Sequence, residues 1–281
     1  MIIGGHVSSA GGILNALTRG QAQGFQTIQI HPTGPQSWAG PTVTDETATQ
    51  FQASMAEYSI KSAFFHNIYL ANFASPEERV WQGAIRISTQ YLELAVKMGV
   101  SGVVTHVGSH KGSGFEAVLP DLAERLKRML GEAPEGRFLI ENTAGAGGSI
   151  GRTLVEIEQI IEAVGAPSDR LGVCIDTCHA FAAGIPLQTP EGWQAFMHEF
   201  QERLGMERLA CMHLNDSKGA FDSNKDRHEN IGDGMIGLEG FKHIVSDPRL
   251  KILPGIMEVP GLEGKGPDIA NRERLEHLQS T

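Results

Sequence analysis

The chain has few cysteines and no long apolar run. Cys174, Cys178 and Cys211 are the only cysteines among 281 residues, and this odd, low number gives no disulfide framework and suits a reducing compartment. No apolar stretch approaches the roughly 20 residues that cross a bilayer. The opening MIIGGHVSSAGG lacks the basic and apolar regions of a secretory signal. We therefore expect a cytoplasmic protein without membrane contact, in which the cysteines pack in the core.

Positive charge is also scarce. The chain has 23 Lys and Arg residues against 33 Asp and Glu residues, a formal net charge of −10, which argues against a broad basic surface for nucleic acid. The hydrophobic content of 41% and charged content of 20% are ordinary for a globular protein. Because an α/β barrel needs about 250 residues, we expect one domain, residues 1–281, as a monomer.

Short apolar segments alternate with longer amphipathic ones along the whole chain. The eight strand candidates are residues 2–6, 27–31, 61–66, 102–106, 137–141, 171–176, 208–213 and 251–258. Each is apolar or β-branched, as buried parallel strands are. Residues 79–98 and 152–164 carry apolar side chains near helical spacing. The alternation predicts an α/β fold, a single (β/α)8 TIM barrel with its active site on the C-terminal rim of the strands.

The last residue of every predicted strand is an imidazole or a carboxylate. These residues are His6, His31, His66, His106, Glu141, Asp176, His213 and Glu258. The carboxyl ends of parallel barrel strands converge on one rim. One histidine at a strand end is more often a hydrogen-bonded core residue than a ligand. Eight such endings together reverse this expectation, because so many buried charges need a counter-ion that a metal cluster supplies.

Three further residues can join the rim. His179 follows Asp176 by three positions, and Asp226 and His228 are two apart, so an extended loop points both the same way. Imidazole with carboxylate favours zinc, with manganese or iron as alternatives, over magnesium or calcium. Three divalent ions would bring the formal net charge from −10 to −4.

Several segments together resemble the endonuclease IV family. They are GGHVSSAGG (4–12), HNIYLANFASP (66–76), HVGSH (106–110), IENTAGAGGSIG (140–151), CIDTCHAFAAG (174–184), HLNDSK (213–218), DRHENIGDGMIG (226–237) and the segment around Glu258. CIDTCHAFAAG and the DRH segment are the most specific of them. The family fold is a TIM barrel, in agreement with the strand count.

The resemblance implies nine ligands of a trinuclear zinc site. The first set is His66, His106 and Glu141; the second is Glu141, Asp176, His213 and Glu258; the third is His179, Asp226 and His228. It also implies an enzyme of the deoxyribonuclease IV type, a phosphodiesterase that cuts DNA 5′ to an abasic site and leaves a 3′-hydroxyl and a 5′ deoxyribose phosphate. A metal pair can clamp both oxygens of an in-line displacement at phosphorus. Glu141, which bridges the pair, is then the catalytic candidate.

The expected partner is double-stranded DNA with abasic or 3′-blocked lesions. Tyr69 and Asn72 match positions at which the family contacts DNA, and Tyr69 could wedge into a base stack. Packing against a neighbouring loop is the alternative role for this tyrosine. Lys111, Lys218 and Arg227 could contact flanking phosphates, although solvated surface charge explains them equally well.

The loop after the second strand departs from the family. Relatives usually carry an arginine that enters the DNA at the lesion, but residues 31–38 read HPTGPQSW. Trp38 fits the family tryptophan, whereas Gln36 stands where the arginine would be. Glutamine is neutral and lacks the guanidinium plane. We therefore expect weaker binding or altered lesion preference with intact chemistry.

Two other functions fit parts of the pattern. A metal-dependent sugar isomerase-like barrel enzyme would share the fold and one carboxylate–histidine metal pair, but it would not need His179, Asp226 and His228. A non-catalytic protein that binds damaged DNA would not need nine retained metal ligands. A metal count and turnover on an abasic duplex separate these alternatives.

Overall fold

The predicted strands form a closed barrel in a computed structural model that describes residues 1–281. The ten strands are β1 (Ile2–His6), β2 (Thr27–Ile30), β3 (Ser62–His66), β4 (Gly102–Thr105), β5 (Phe138–Glu141), β6 (Leu171–Asp176), β7 (Leu209–His213), β8 (Asp216–Ser217), β9 (His228–Glu229) and β10 (Pro254–Met257). Eight of them pair in parallel around the barrel in the order β1-β10-β7-β6-β5-β4-β3-β2, and β8 and β9 form a separate antiparallel ribbon. The TIM-barrel prediction is confirmed.

Helices follow the strands and surround the barrel. They are α1 (Leu14–Ala22), α2 (Asp45–Glu57), α3 (Glu78–Met98), α4 (Phe115–Glu132), α5 (Leu154–Val164), α6 (Thr177–Ala182), α7 (Pro190–Leu204), α8 (Gly237–Val245) and α9 (Ile269–Ser280). The predicted helices 79–98 and 152–164 are α3 and α5. Helix α5 begins two residues later than predicted because the Thr153 side chain caps it, accepting from the Glu156 amide at 3.2 Å.

The last barrel strand is shorter than the apolar pattern predicts. Residues 251–258 read as one strand, but pairing begins only at Pro254. The Asp247 carboxylate accepts a hydrogen bond from the Arg249 amide and starts a short turn, Pro248–Leu250, and Ile252 is 81% exposed. The strand predicted over residues 251–258 therefore began too early, because the apolar run also covers residues that follow the turn and precede the strand.

Two apolar layers hold the barrel. The larger layer lies between strands and helices, and a smaller cluster fills the barrel interior: Phe64, Val104, Leu139, Cys174, Cys211 and Ile256. All three cysteines are free and buried, as expected from their positions in the sequence. No helix combines the length and the apolar composition that a membrane span requires.

Candidate metal centre

The C-terminal rim of the barrel brings together all nine ligand candidates. Five imidazoles and four carboxylates form three groups, and within each group the possible ligand atoms lie within 4.8 Å of one another. Parallel strands deliver six of the nine at or next to a strand end: His66, His106, Glu141, Asp176, His213 and Glu258. The three groups match the sets that the family resemblance implies.

Glu141 is the residue that joins the first two groups. It is fully buried at the end of β5. Its Oε2 lies 3.1 Å from Nε2 of His66 and 3.3 Å from Nε2 of His106. Its Oε1 lies 2.9 Å from Nδ1 of His213. The two oxygens thus face different groups, which is the arrangement of a bridging carboxylate.

The second group is completed by carboxylates from the neighbouring strands. Nδ1 of His213 lies 3.3 Å from Oε2 of Glu258 and 3.7 Å from Oδ2 of Asp176. His213 and Asp176 are buried and directly paired in register across β6 and β7. Register between adjacent parallel strands therefore sets this part of the centre.

The third group depends on a helix and on the ribbon outside the barrel. The Asp176 side chain caps α6 by accepting from the His179 amide, which places His179 one turn beyond β6. The carboxylate of Asp226 lies 3.1 Å from Nε2 of His179 and 3.2 Å from Nε2 of His228. The pairing of Ser217 with His228 in the β8–β9 ribbon carries the last two ligands over the rim.

A single buried carboxylate anchors the loop that follows this ribbon. Asp216 accepts backbone hydrogen bonds from Gly232 at 2.9 Å, Gly234 at 3.0 Å and Ile236 at 2.9 Å. A Cβ at position 234 would lie 2.5 Å from the Asp216 carboxylate, so the loop can approach this closely only with glycine. This contact accounts for the glycine at position 234 of the DRHENIGDGMIG segment.

Four of the five imidazoles are oriented by an acceptor away from the centre. His66 donates through Nδ1 to the carbonyl of Asn67. In the same way, Nδ1 of His179 donates to the carbonyl of Asn142, and Nδ1 of His228 donates to that of Glu258. Nε2 of His213 donates to Oε1 of Gln29. A carbonyl only accepts, so the second nitrogen of each ring faces the centre as a lone-pair donor, as in metal-ligating histidines.

Buried charge in the centre is balanced only within the cluster itself. Burial opposes ionisation of Glu141, but His106 and His213 outweigh this effect and hold its pKa well below the usual range. Burial likewise opposes the charge of His228, and the Asp226 carboxylate outweighs it, raising the pKa of His228 to about 9. The pKa values of these side chains are therefore set by opposite charges within the same cluster, as is common at functional sites.

The residues present fit a metal of the zinc type. Nε2 of His228 is buried and lies 3.2 Å from Oδ1 of Asp226 without forming a hydrogen bond, and an orphaned buried polar atom is costly. The nitrogen and carboxylate-oxygen donor set is one that zinc accepts. Cys178 also lies near Asp176 and His228, and burial, reinforced by Asp176, raises the pKa of its thiol to about 12.

Comparison with known proteins shows which family the chain belongs to. A family model described as a xylose isomerase-like TIM barrel matches residues 17–280. A protein of Trichlorobacter lovleyi named "Probable endonuclease 4" is 38% identical over 98% of this chain and 99% of its own length. The crystal structure of endonuclease IV from Thermus thermophilus superimposes with a TM-score of 0.87 at 30% identity, covering 100% of this chain and 99% of that one. The chain belongs to the endonuclease IV family.

A more distant likeness shows the fold alone. A structure described as a D-tagatose 3-epimerase-like protein has a TM-score of 0.74 at 19% identity. The endonuclease IV family and this epimerase-like protein therefore share the barrel, and only the rim residues can distinguish their chemistry.

The predicted DNA contacts occupy different environments. Tyr69 is 65% exposed on the rim. Gln36, Lys111, Lys218 and Arg227 are also exposed. Trp38, by contrast, packs on α3, where a Cβ at Gly83 would lie 2.8 Å from its ring. Asn72 donates to the Ser109 carbonyl and accepts from the Ser109 and Ala74 amides, which ties two rim loops together. Their roles toward DNA stay predictions.

Sequence analysis assigned no role to three buried amides that support the ligands. Gln29 donates to Oε1 of Glu258 at 2.6 Å and accepts from His213 at 2.8 Å. The backbone amide of Asp176 donates to Oδ1 of Asn142 at 2.6 Å, and Nδ2 of Asn215 donates to Oδ2 of Asp176 at 2.6 Å. A polar residue in the buried segment TIQI was the available signal for Gln29. Nδ1 of His6, which ends β1 and belongs to none of the three groups, lies 3.3 Å from Oε1 of Glu258.

Proposed function

We propose that this protein is a metal-dependent DNA repair endonuclease. It hydrolyses the phosphodiester 5′ to an abasic site and leaves a 3′-hydroxyl and a 5′ deoxyribose phosphate. The observation that carries the proposal is the meeting of nine ligand side chains in three groups, two of which share Glu141. The names of the family relatives support the same activity. The substrate is double-stranded DNA with abasic or 3′-blocked lesions.

The side chains of the rim would hold three zinc ions, with manganese or iron as alternatives. When bound, such ions lower the pKa of water towards about 7 and neutralise charge on a phosphoryl group. Glu141 bridges two of the three groups and orients the attacking nucleophile. His179, Asp226 and His228 would hold the ion that meets the phosphate, because they form the most open group, with the Asp226 side chain 51% exposed.

The remaining rim residues bind and position DNA. Tyr69 stands exposed beside the centre and can fill the gap left by a lost base. Lys111 lies exposed on one rim loop, and Lys218 and Arg227 lie exposed at the two ends of the loop between β8 and β9; all three can meet flanking phosphates. Asn72 and Trp38 act through the loops that they hold. Local contacts of this kind suit a chain whose net charge is −10.

A sugar isomerase function is less well supported than this one. One metal pair would suffice for an isomerase of this fold, and the third group would have no task. A multiply charged phosphate gives the third group a ligand. The likeness to the epimerase-like structure, at 19% identity, concerns the fold alone.

The test is cleavage of an abasic duplex with and without chelator, together with elemental analysis of gently purified protein. We expect a nick at the abasic site, loss of activity after prolonged chelation, and close to three metal ions per chain, mainly zinc. One ion or none in active protein would contradict the trinuclear centre. Activity that survives complete metal removal would contradict the proposed chemistry.

The Gln36 loop leads to a separate prediction about affinity. The Tyr69 amide donates to the Pro35 carbonyl at 2.9 Å, which holds exposed Gln36 next to Tyr69 on the rim. Gln36→Arg adds a cation and a guanidinium plane there, so KM for an abasic duplex should fall by about tenfold at constant kcat, the effect of one hydrogen bond to a charged group.

The matched control is Gln50→Arg, which adds the same charge on helix α2. Gln50 is exposed and bonds only Glu46 of its own helix. Equal effects of both variants would show general electrostatic attraction. No change in KM for Gln36→Arg would show that this loop does not limit recognition.

A further inference from the structure

His31 lies between the candidate metal centre and the exposed rim tyrosine, and it belongs to none of the three ligand groups. Its ring centroid is 5.1 Å from that of His66, a ligand candidate, and 5.4 Å from that of Tyr69. On its other side the ring of His6 lies 4.7 Å away. A sugar attached to a phosphate at the centre and next to Tyr69 would therefore face His31.

The two ring nitrogens of His31 are in different situations. Nδ1 lies 3.0 Å from the backbone carbonyl of His66. Because a carbonyl only accepts, Nδ1 carries the hydrogen. Nε2 has no hydrogen-bond partner in the protein and is not among the buried unpaired atoms, so it faces solvent. In a neutral imidazole of this tautomer, Nε2 is a hydrogen-bond acceptor.

The carbonyl of His66 fixes both the orientation of this ring and the tautomer of its neutral form, because Nδ1 must carry the hydrogen that the carbonyl accepts.

An acceptor at this position distinguishes among the groups of DNA. Phosphate and sugar-ether oxygens only accept, so they gain nothing from the lone pair on Nε2. Loss of a base leaves a hydroxyl on C1′ of the closed-ring deoxyribose, and this hydroxyl can donate. An intact nucleotide carries a base on C1′ and has no such donor.

We infer that Nε2 of His31 accepts a hydrogen bond from the C1′ hydroxyl of the abasic deoxyribose whose phosphate lies at the candidate metal centre. The inference rests on the proposed function and names a residue that selects the lesion. His31 thereby acts on specificity, and the metal-ligand groups act on the reaction.

The test compares two substrates across three forms of the protein. Wild type, His31→Phe and His31→Gln are assayed for kcat/KM on a duplex with a natural abasic residue and on one with a tetrahydrofuran residue, which lacks the C1′ hydroxyl. For His31→Phe, the ratio of natural to tetrahydrofuran kcat/KM should fall by about three- to tenfold, the effect of one hydrogen bond. His31→Gln should restore most of the ratio, because its amide can donate to the His66 carbonyl while its oxygen accepts.

Using a ratio separates specificity from damage to the site. A disturbed His66 would lower both rates together and would be visible as reduced metal content. An unchanged ratio in His31→Phe would overturn the inference. So would a His31→Gln protein that keeps its metal and has the same ratio as His31→Phe. A wild-type protein that cuts neither duplex would contradict the proposed function itself, a result distinct from both.

Discussion

Replacing Glu141 with glutamine should lower kcat on an abasic duplex by about a thousandfold or more, while binding of the duplex remains measurable. Glu141 contacts His66 and His106 through one oxygen and His213 through the other. An amide is neutral and presents only one acceptor oxygen, so it cannot serve two groups. A loss of several kcal/mol of transition-state stabilisation corresponds to this range.

The matched control for this variant is Glu158→Gln. Glu158 lies on α5 and pairs with Arg203 at 2.8 Å, an ion pair worth about 0–1 kcal/mol. The control should retain kcat and the unfolding midpoint of the wild type. Single-turnover cleavage, duplex binding and metal content are measured for both variants. Near-normal cleavage by Glu141→Gln would show that our assignment of the bridging and nucleophile-orienting role is wrong.

Gln29→Leu should lower kcat/KM or metal retention by about 10–100-fold, although Gln29 is not a ligand candidate. Such losses are typical when a hydrogen-bond partner of a metal ligand is removed. Gln29 bonds Glu258 and His213, and its Nε2 also lies 3.0 Å from Nδ1 of His6. Leucine preserves the volume of the β2 side chain, but it leaves the His213 Nε2–H without an acceptor and removes the shorter of the two hydrogen bonds to Oε1 of Glu258.

Gln26→Leu is the control, because it makes the same exchange just before the same strand. Gln26 is exposed and accepts a hydrogen bond from Lys61 at 2.9 Å. It precedes the first residue of β2 and so lies at the end of this strand that is opposite the rim. It should behave as wild type. If Gln29→Leu keeps wild-type kcat/KM and full metal content after dialysis, the supporting role of Gln29 is refuted. A change in thermal stability alone would also count against it.

Local sequence pattern was sufficient for the barrel and for the ligand candidates. Each strand is a short apolar run, and packing on both faces of a parallel sheet demands such runs. Ligand residues at strand ends were visible because the apolar pattern stops there, as at Glu141 and Asp176. The closed parallel barrel is confirmed, and the grouping of the nine residues matches the sets implied by the family motifs.

The side chains that orient these ligands were decided only by the tertiary structure. Gln29 meets His213 and Glu258, which are 184 and 229 positions away in the chain. Hydrogen bonds over such separations follow from barrel closure, which sets β1 between β2 and β10, and they leave no periodic trace in the sequence. A buried glutamine in a strand signals a partner but does not identify it.

The strand ends of the rim could be predicted from the sequence, whereas the contacts of its loops could not. By itself the sequence determined which residue types stand at the strand ends, because side-chain burial within a strand is a local property. Only the folded chain decided that Trp38 packs on α3, that Asn72 joins two loops, and that His31 presents one free nitrogen beside the centre. These roles depend on which loops meet above the barrel, and loop contacts are set by the closure of the whole structure and not by neighbours in sequence.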